Sequence, residues 1–191
     1  MIEWIVSTHA LQTVATTGIG IAACALLAAA MVISIRAPNH RLWPPGDHDW
    51  RFGLYLILSG VVTVTLGATA YLDWRHLSTV PSLLLPVGEF IAGLGLLVTV
   101  ASMTDLGVRE TSGLPGEFRT DGFYQYSRNP QIVGLLFTVG GLAVTGNSLL
   151  GAAMCITAAV WLVLMPFAEE PWLRDHYGDE YEQYREAVPR S

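Results

Sequence analysis

Apolar residues in this chain are gathered into five runs, near residues 10–35, 53–72, 82–103, 130–146 and 149–168, rather than alternating with polar ones. Each run is long enough, or nearly so, for the roughly 20 residues with which an α-helix crosses the roughly 30 Å hydrocarbon layer of a bilayer. In hydrocarbon a helix bonds all of its own backbone groups, so the pattern predicts an all-α integral membrane protein of about five transmembrane helices. Only Thr145-Gly146-Asn147-Ser148 separates the last two runs, which reads as a tight helical hairpin; the fourth run is short for a complete crossing. Pro166, near the inner end of the fifth, removes a hydrogen bond and crowds the Leu162 carbonyl, which predicts a kink. Beyond it, Leu173, Tyr177, Tyr181, Tyr184 and Val188 recur at three-to-four spacing as one apolar stripe. Gly178 interrupts that stripe, and Asp179 with Glu182 has the form of a capping box opening a second segment.

The longest polar, turn-rich interval runs from Gly113 to Pro130. It ends in a helix start, since Asn129 can cap and Pro130 suits the first helical position. Proline also pushes Asn129 out of the helical region, so the backbone arrives extended and then turns. A helix beginning there points N–H groups and a positive dipole end at the loop, which suits a carboxylate or phosphate. Arg128 adds a fixed charge beside it, while Tyr124 and Tyr126 add flat faces for a nucleobase. Glu169 and Glu170 follow the fifth run directly. By themselves they read equally well as a solvated helix end and as the acidic half of a nucleotide-type pocket.

Composition supports the membrane reading: of 191 residues, 52% are hydrophobic and 14% charged, where a soluble domain carries about 25% charged residues. The net charge of -6 excludes a nucleic-acid partner, which calls for a basic patch. There is no lysine, and nine of the ten arginines fall on one side of the predicted membrane. Arg36, Arg41 and Arg51 follow the first run; Arg109, Arg119 and Arg128 follow the third; Arg174, Arg185 and Arg190 lie in the tail. Arg75 alone lies on the other side. Positive residues stay inside, so the N-terminus is expected outside and both polar segments at the cytoplasmic face. From Glu169 onward, seven acids against three arginines disfavour anionic lipid, and the amphipathic tail is expected to fold back as an interfacial helix over a cytoplasmic pocket.

Other features have ordinary readings. Glu3, with no basic residue before the first run, makes a poor signal peptide, so that run is expected to stay as an anchor. Cys24 and Cys155 lie in apolar runs as core packing. Gly88, Gly93 and Gly95 in the third run and Gly134, Gly140 and Gly141 in the fourth permit close helix contact. Trp43, Trp50 and Trp74 sit near span ends as belt residues do. Glu89 is an acid a short way into a span, toward its outer end, where a functional role is the minor reading. His9, His40, His48, His76 and His176 show no metal-ligand spacing, so no metal is expected, and no glycine-rich phosphate loop is present.

The compound pattern Gly122-x-Tyr124-x-x-x-Arg128-Asn129-Pro130, helical hairpin, Glu169-Glu170, then Tyr177-Gly178-Asp179-Glu180-Tyr181-x-x-Tyr184 resembles the isoprenylcysteine carboxyl methyltransferase family. That family belongs to a wider group that includes the phospholipid methyltransferases. The resemblance covers roughly residues 104–188, so the chain is divided into N-terminal membrane helices (1–80) and a methyltransferase-like core (81–191). It implies an integral membrane enzyme that binds S-adenosylmethionine at the cytoplasmic face and methylates a lipophilic or small membrane-accessible acceptor, with membrane lipid as its surroundings. The family's arginine–histidine–proline–x–tyrosine segment falls on Arg128, Asn129, Pro130, Gln131 and Ile132, and its cofactor-contacting tyrosine on Tyr124. Its polar approach falls on Gly116, Glu117, Phe118 and Arg119 with Gly122, a further contact near Arg109, and its cofactor-binding glutamate on Glu169, beside Glu170.

Cofactor chemistry agrees with that implication. The helix start with Arg128 suits the carboxylate of S-adenosylmethionine, Glu169 or Glu170 its ammonium or sulfonium, and the Tyr124 ring its adenine or cationic part. Methyl transfer is a direct displacement, so positioning and exclusion of water suffice, and no catalytic side chain is assigned. Asn129 stands where the family has histidine, Ile132 where it has tyrosine, and Met165 where the prenylcysteine enzymes have a substrate-orienting arginine. Without that arginine a carboxylate acceptor loses its partner. Trp161, Met165 and Phe167 would line an apolar entrance instead, favouring a lipid amine, a thiol or a neutral hydroxyl. Two other readings stand beside this one: a sterol-reductase-like enzyme using NADPH, and a non-catalytic membrane protein of the same fold.

Overall fold

The computed structural model describes residues 2–75, 77 and 80–190, with side chains for all of these except 2–7 and 108. Its helices are α1 (Ile2–Arg36), α2 (Trp50–Leu72), α3 (Leu85–Leu106), α4 (Val108–Thr111), α5 (Pro130–Gly146), α6 (Leu149–Tyr177) and α7 (Asp179–Ala187). Single 3-10 turns lie at Pro38–His40, Ser82–Leu84 and Gly122–Gln125, and the described residues form no strand. All five apolar runs are helical, and among the described residues four helices are long and apolar enough to cross a membrane; α5, at 17 residues, is the shorter one. His76 lies outside the described residues.

The fifth run and the first part of the tail form one continuous helix, α6, which contains both Pro166 and Pro171. Gly178, at φ +55°, ends it and begins α7. The capping box does not form, because Gly178 rather than Asp179 occupies the cap position. Glu182 pairs instead with Arg174 at 3.2 Å and Arg185 at 2.6 Å.

Helix α1 packs against α2 and α6, α5 against α6, and α3 against α5. The α3–α5 contact is backbone on backbone. A Cβ on Gly95 would lie 2.5 Å from the Gly134 carbonyl oxygen, and one on Gly141 2.5 Å from that of Gly88. Small residues allow such approach where no water remains to drive association. Gly93 and Gly140 face open space and take no part. Cys24 and Cys155 are free and buried in the core with Leu27, Met31, Met154 and Leu162. Ile57, Val64, Phe90 and Leu97 point outward, where a bilayer covers them. A Thr17–Thr69 hydroxyl bond of 3.1 Å joins α1 to α2 inside the bundle.

The two ends of the bundle differ. At one, the left-handed Asn147 turns α5 into α6, the Gly146 carbonyl accepts from Arg75 N–H at 2.6 Å, and Arg75 pairs with Glu89 at 2.7 Å. That pair answers the charge of Glu89. The connection 37–49, the interval 107–129 and the tail meet at the other end, as the contacts below require. Trp50 and Trp74 are exposed, as belt residues should be, whereas Trp43 is 1% exposed and belongs to the interior. Proximity to a span end is shared by belt and interior tryptophans, and burial separates Trp43 from the belt. Ser34 Oγ accepts both the Leu42 and the Trp43 N–H at 2.9 Å and so turns the chain back toward the core.

Candidate active site

The interval 112–129 cannot bury itself, and it closes against the polar end of α6, with α7 laid across. Between them lies a cavity that opens to solvent. Of the candidate residues, Glu117, Phe118, Arg119, Tyr124, Arg128, Asn129, Gln131, Glu169 and Glu170 line it. Tyr177, Tyr181 and Tyr184 from the tail line it too, with Phe118 packed among the three rings at 4.8–6.1 Å. The amphipathic tail therefore does cover the pocket.

The remaining candidates stand behind or away from this wall. Gly116 sits against the Glu110 carboxylate, so closely that a Cβ would displace that side chain, and its carbonyl accepts from the Tyr177 hydroxyl at 3.1 Å. Gly122, at φ +57°, packs on Asp105, whose carboxylate accepts from Phe123 N–H at 3.0 Å. Arg109 is exposed, and its carbonyl accepts from Ser112 and Leu114. Pro130 is buried at the first position of α5, and Ile132, Trp161 and Met165 belong to the core. Asn129 makes no side-chain cap; its amide donates to the Arg190 carbonyl at 3.0 Å. Pro130 has no N–H and Ile132 N–H already bonds the Asn129 carbonyl at 3.1 Å, so α5 presents fewer free donors than a bare helix start.

The adjacent acids have unlike partners. Glu170 lies between Arg128 (3.0 Å) and Arg190 (2.8 Å to each carboxylate oxygen), and Arg128 also reaches the Tyr181 hydroxyl at 3.3 Å. With its side chain 11% exposed, Glu170 is neutralised by two guanidinium groups. Glu169 is half-buried and accepts one bond, from Trp43 Nε1–H at 2.7 Å; no cation faces it among the described residues. Its charge is therefore unspent. The tail that supplies Arg190 is itself tied to the loop, since the Pro189 carbonyl accepts from Arg128 N–H at 2.9 Å and the Arg190 carbonyl from Ser127 Oγ at 3.1 Å.

Three polar atoms of the cavity-lining residues are buried without a partner: Tyr124 Oη, Arg128 Nε and Gln131 Oε1. Each costs about 1–3 kcal/mol for as long as it stays unmet. Burial, then the Glu169 charge, pushes the Tyr124 phenol upward. Burial likewise pushes Tyr184 up to about 12, and it donates to the Tyr124 carbonyl at 2.6 Å. Both phenols stay protonated near neutral pH, as donors rather than bases. Trp43, Glu110 and Arg190 escaped the sequence reading. Trp43-Pro44-Pro45 is stiff, and Arg190 is one of few tail cations, but neither signal names a partner.

Comparison with known proteins bears on this geometry. The family described as phospholipid methyltransferase matches residues 84–180, just over half of the chain, from the start of α3 into α7. A protein-S-isoprenylcysteine O-methyltransferase of Schizosaccharomyces pombe is 34% identical over 73 residues, 37% of this chain. The match spans 30% of that relative's length. No solved structure matches. The matched region holds the polar interval, the helical hairpin and the acidic pair, and on that match the chain belongs to the phospholipid methyltransferase family.

Proposed function

We propose that the chain is an integral membrane methyltransferase that takes its methyl group from S-adenosylmethionine and gives it to a lipophilic acceptor drawn from the bilayer. The observation that carries the reading is an acid without a cation: Glu169 lines the cavity while its neighbour Glu170 is fully paired. A cationic ligand supplies the missing charge. The partnerless Tyr124, Arg128 and Gln131 atoms supply polar contacts for the rest of it. When bound, S-adenosylmethionine provides a sulfonium-activated methyl group.

The chain's own residues bind, orient and exclude water. Glu169 holds positive charge at the α6 wall, while Arg128 and Gln131 offer donor and acceptor at the loop wall. Tyr177, Tyr181 and Tyr184, with Phe118, cover one side of that volume with rings, and the less water reaches Glu169 the stronger its attraction for a cation. The acceptor approaches along the membrane-facing side of α6, where Phe167 is exposed. Met165, buried one turn before Glu169, gives a carboxylate nothing to pair with. The name of the Schizosaccharomyces pombe relative, an S-isoprenylcysteine O-methyltransferase, supports a lipophilic acceptor, and the missing arginine favours an amine, thiol or hydroxyl over a carboxylate as the group methylated. The arginine asymmetry supports a cytoplasmic site and an external N-terminus.

Ligand-dependent melting of the purified protein in detergent tests this. A ligand at one hundred times its Kd stabilises by about 2.7 kcal/mol. S-adenosylhomocysteine should raise the melting temperature and NADPH should not. The reverse result would replace the reading with a reductase, and no response to either would leave a non-catalytic membrane protein.

A further inference from the structure

The single bond to the Glu169 carboxylate comes from a residue that the family match, beginning at residue 84, does not reach. Trp43 is 1% exposed, and its direction is set on every side. Its backbone N–H is held by Ser34 Oγ at 2.9 Å, and that hydroxyl is anchored on the Ala30 carbonyl at 2.8 Å. Its ring stacks on Tyr55 of α2 with centroids 3.9 Å apart. Its far edge abuts Gly113 of the loop, where a Cβ would come within 2.9 Å of Trp43 Cη2, and the Gly113 carbonyl accepts from Gly46 N–H at 3.2 Å. The indole is thus clamped by α1, α2 and the loop independently of Glu169.

We propose that Trp43 is a positioning residue of the donor site, whose indole N–H holds the Glu169 carboxylate in place as the counter-charge for a cationic nucleoside ligand. The proposal rests on reading the cavity as the methyl-donor site, and adds to it a residue from outside the matched region. A buried indole N–H needs an acceptor, but any carbonyl would serve that need. Here it meets a carboxylate with no cation beside it, an arrangement that costs the empty fold and gains only when positive charge arrives. One donor leaves the remaining lone pairs of Glu169 available to that charge. The neutral character of the donor matters as well. A guanidinium in its place would cancel the charge, as Arg128 and Arg190 cancel that of Glu170.

The test uses the full-length protein in detergent and titrates S-adenosylmethionine and S-adenosylhomocysteine into wild type, Trp43→Phe, Glu169→Ala and the double variant. Phenylalanine keeps a stacking ring and removes the N–H. In case it packs poorly, 3-benzothienylalanine at position 43 keeps the bicyclic shape and replaces N–H with sulfur. Both should weaken binding about tenfold, the loss of one hydrogen bond to a charged group. In the Glu169→Ala background the same changes should have no further effect, because Trp43 acts through that carboxylate. Wild-type affinity in both position-43 variants, or an equal loss in the two backgrounds, overturns the inference and leaves Trp43 as packing. A wild-type protein that binds neither ligand overturns the donor-site reading itself, and the inference with it.

Discussion

Glu169 and Glu170 are neighbours in sequence, yet their replacement by glutamine should fail in opposite ways. Glu170→Gln removes the charge between Arg128 and Arg190, leaving an Arg128 side chain that is 11% exposed without its counter-ion. Breaking a buried pair on one side costs about 3–5 kcal/mol. Arg190 is 37% exposed, so solvent screens its half and the lower end applies, about 3 kcal/mol. For a chain of this size that corresponds to a fall in Tm of roughly 6–12 °C. Glu169→Gln leaves no cation behind, and the amide oxygen can still accept the Trp43 N–H. The fold should therefore melt within about 2 °C of wild type or slightly above it, an uncompensated charge having been removed. Binding of S-adenosylhomocysteine to Glu169→Gln should weaken by about 1–3 kcal/mol, the worth of a charge-assisted contact. Melting curves and calorimetric titration in one detergent read both effects. A Glu170→Gln protein as stable as wild type, or a Glu169→Gln protein of unchanged affinity, would refute the division of roles between the two acids.

Three further outcomes follow from the contacts. Gly95→Ala forces a Cβ to 2.5 Å from the Gly134 carbonyl oxygen, and overpacking of this kind should cost about 1–3 kcal/mol in a melting experiment, whereas Gly93→Ala, in open space, should cost nothing. Arg75→Ala breaks an exposed pair with Glu89 worth at most about 1 kcal/mol, and lying at the other end of the bundle it should leave S-adenosylhomocysteine titrations unchanged. Tyr184 has its folded-state value raised to about 12 from the usual 10, so the unfolded chain loses that proton first. Its contribution is complete below pH 10 and lost as pH rises toward 12; Tyr184→Phe should therefore flatten part of the fall in Tm over that alkaline range.

All five helical runs, the hairpin turn and the break at Gly178 were legible because they depend on local composition. About twenty apolar residues must be helical in hydrocarbon whatever surrounds them, and Gly178 at φ +55° needs no partner to stop a helix. The close glycines of α3 and α5 were legible as a class, but only packing could separate Gly95 and Gly134, in contact, from Gly93 and Gly140, in open space. The apolar stripe of the tail likewise indicated a buried face, and the tyrosines of that stripe do line the cavity. Charge alone could not say which of two adjacent acids is spent. That depends on Arg190, 20 residues along the chain, and on Trp43, 126 residues away, both brought in by tertiary contacts. Asn129 shows the same limit: its residue type suits a cap, yet the fold gives its amide to the Arg190 carbonyl. A helical membrane protein with a polar loop and an acidic pair at one end follows from hydropathy and spacing along the chain. That Glu169 faces the cavity with its charge unspent emerges in the folded chain alone, because the partner of a buried charge is a matter of distance in space and not along the chain.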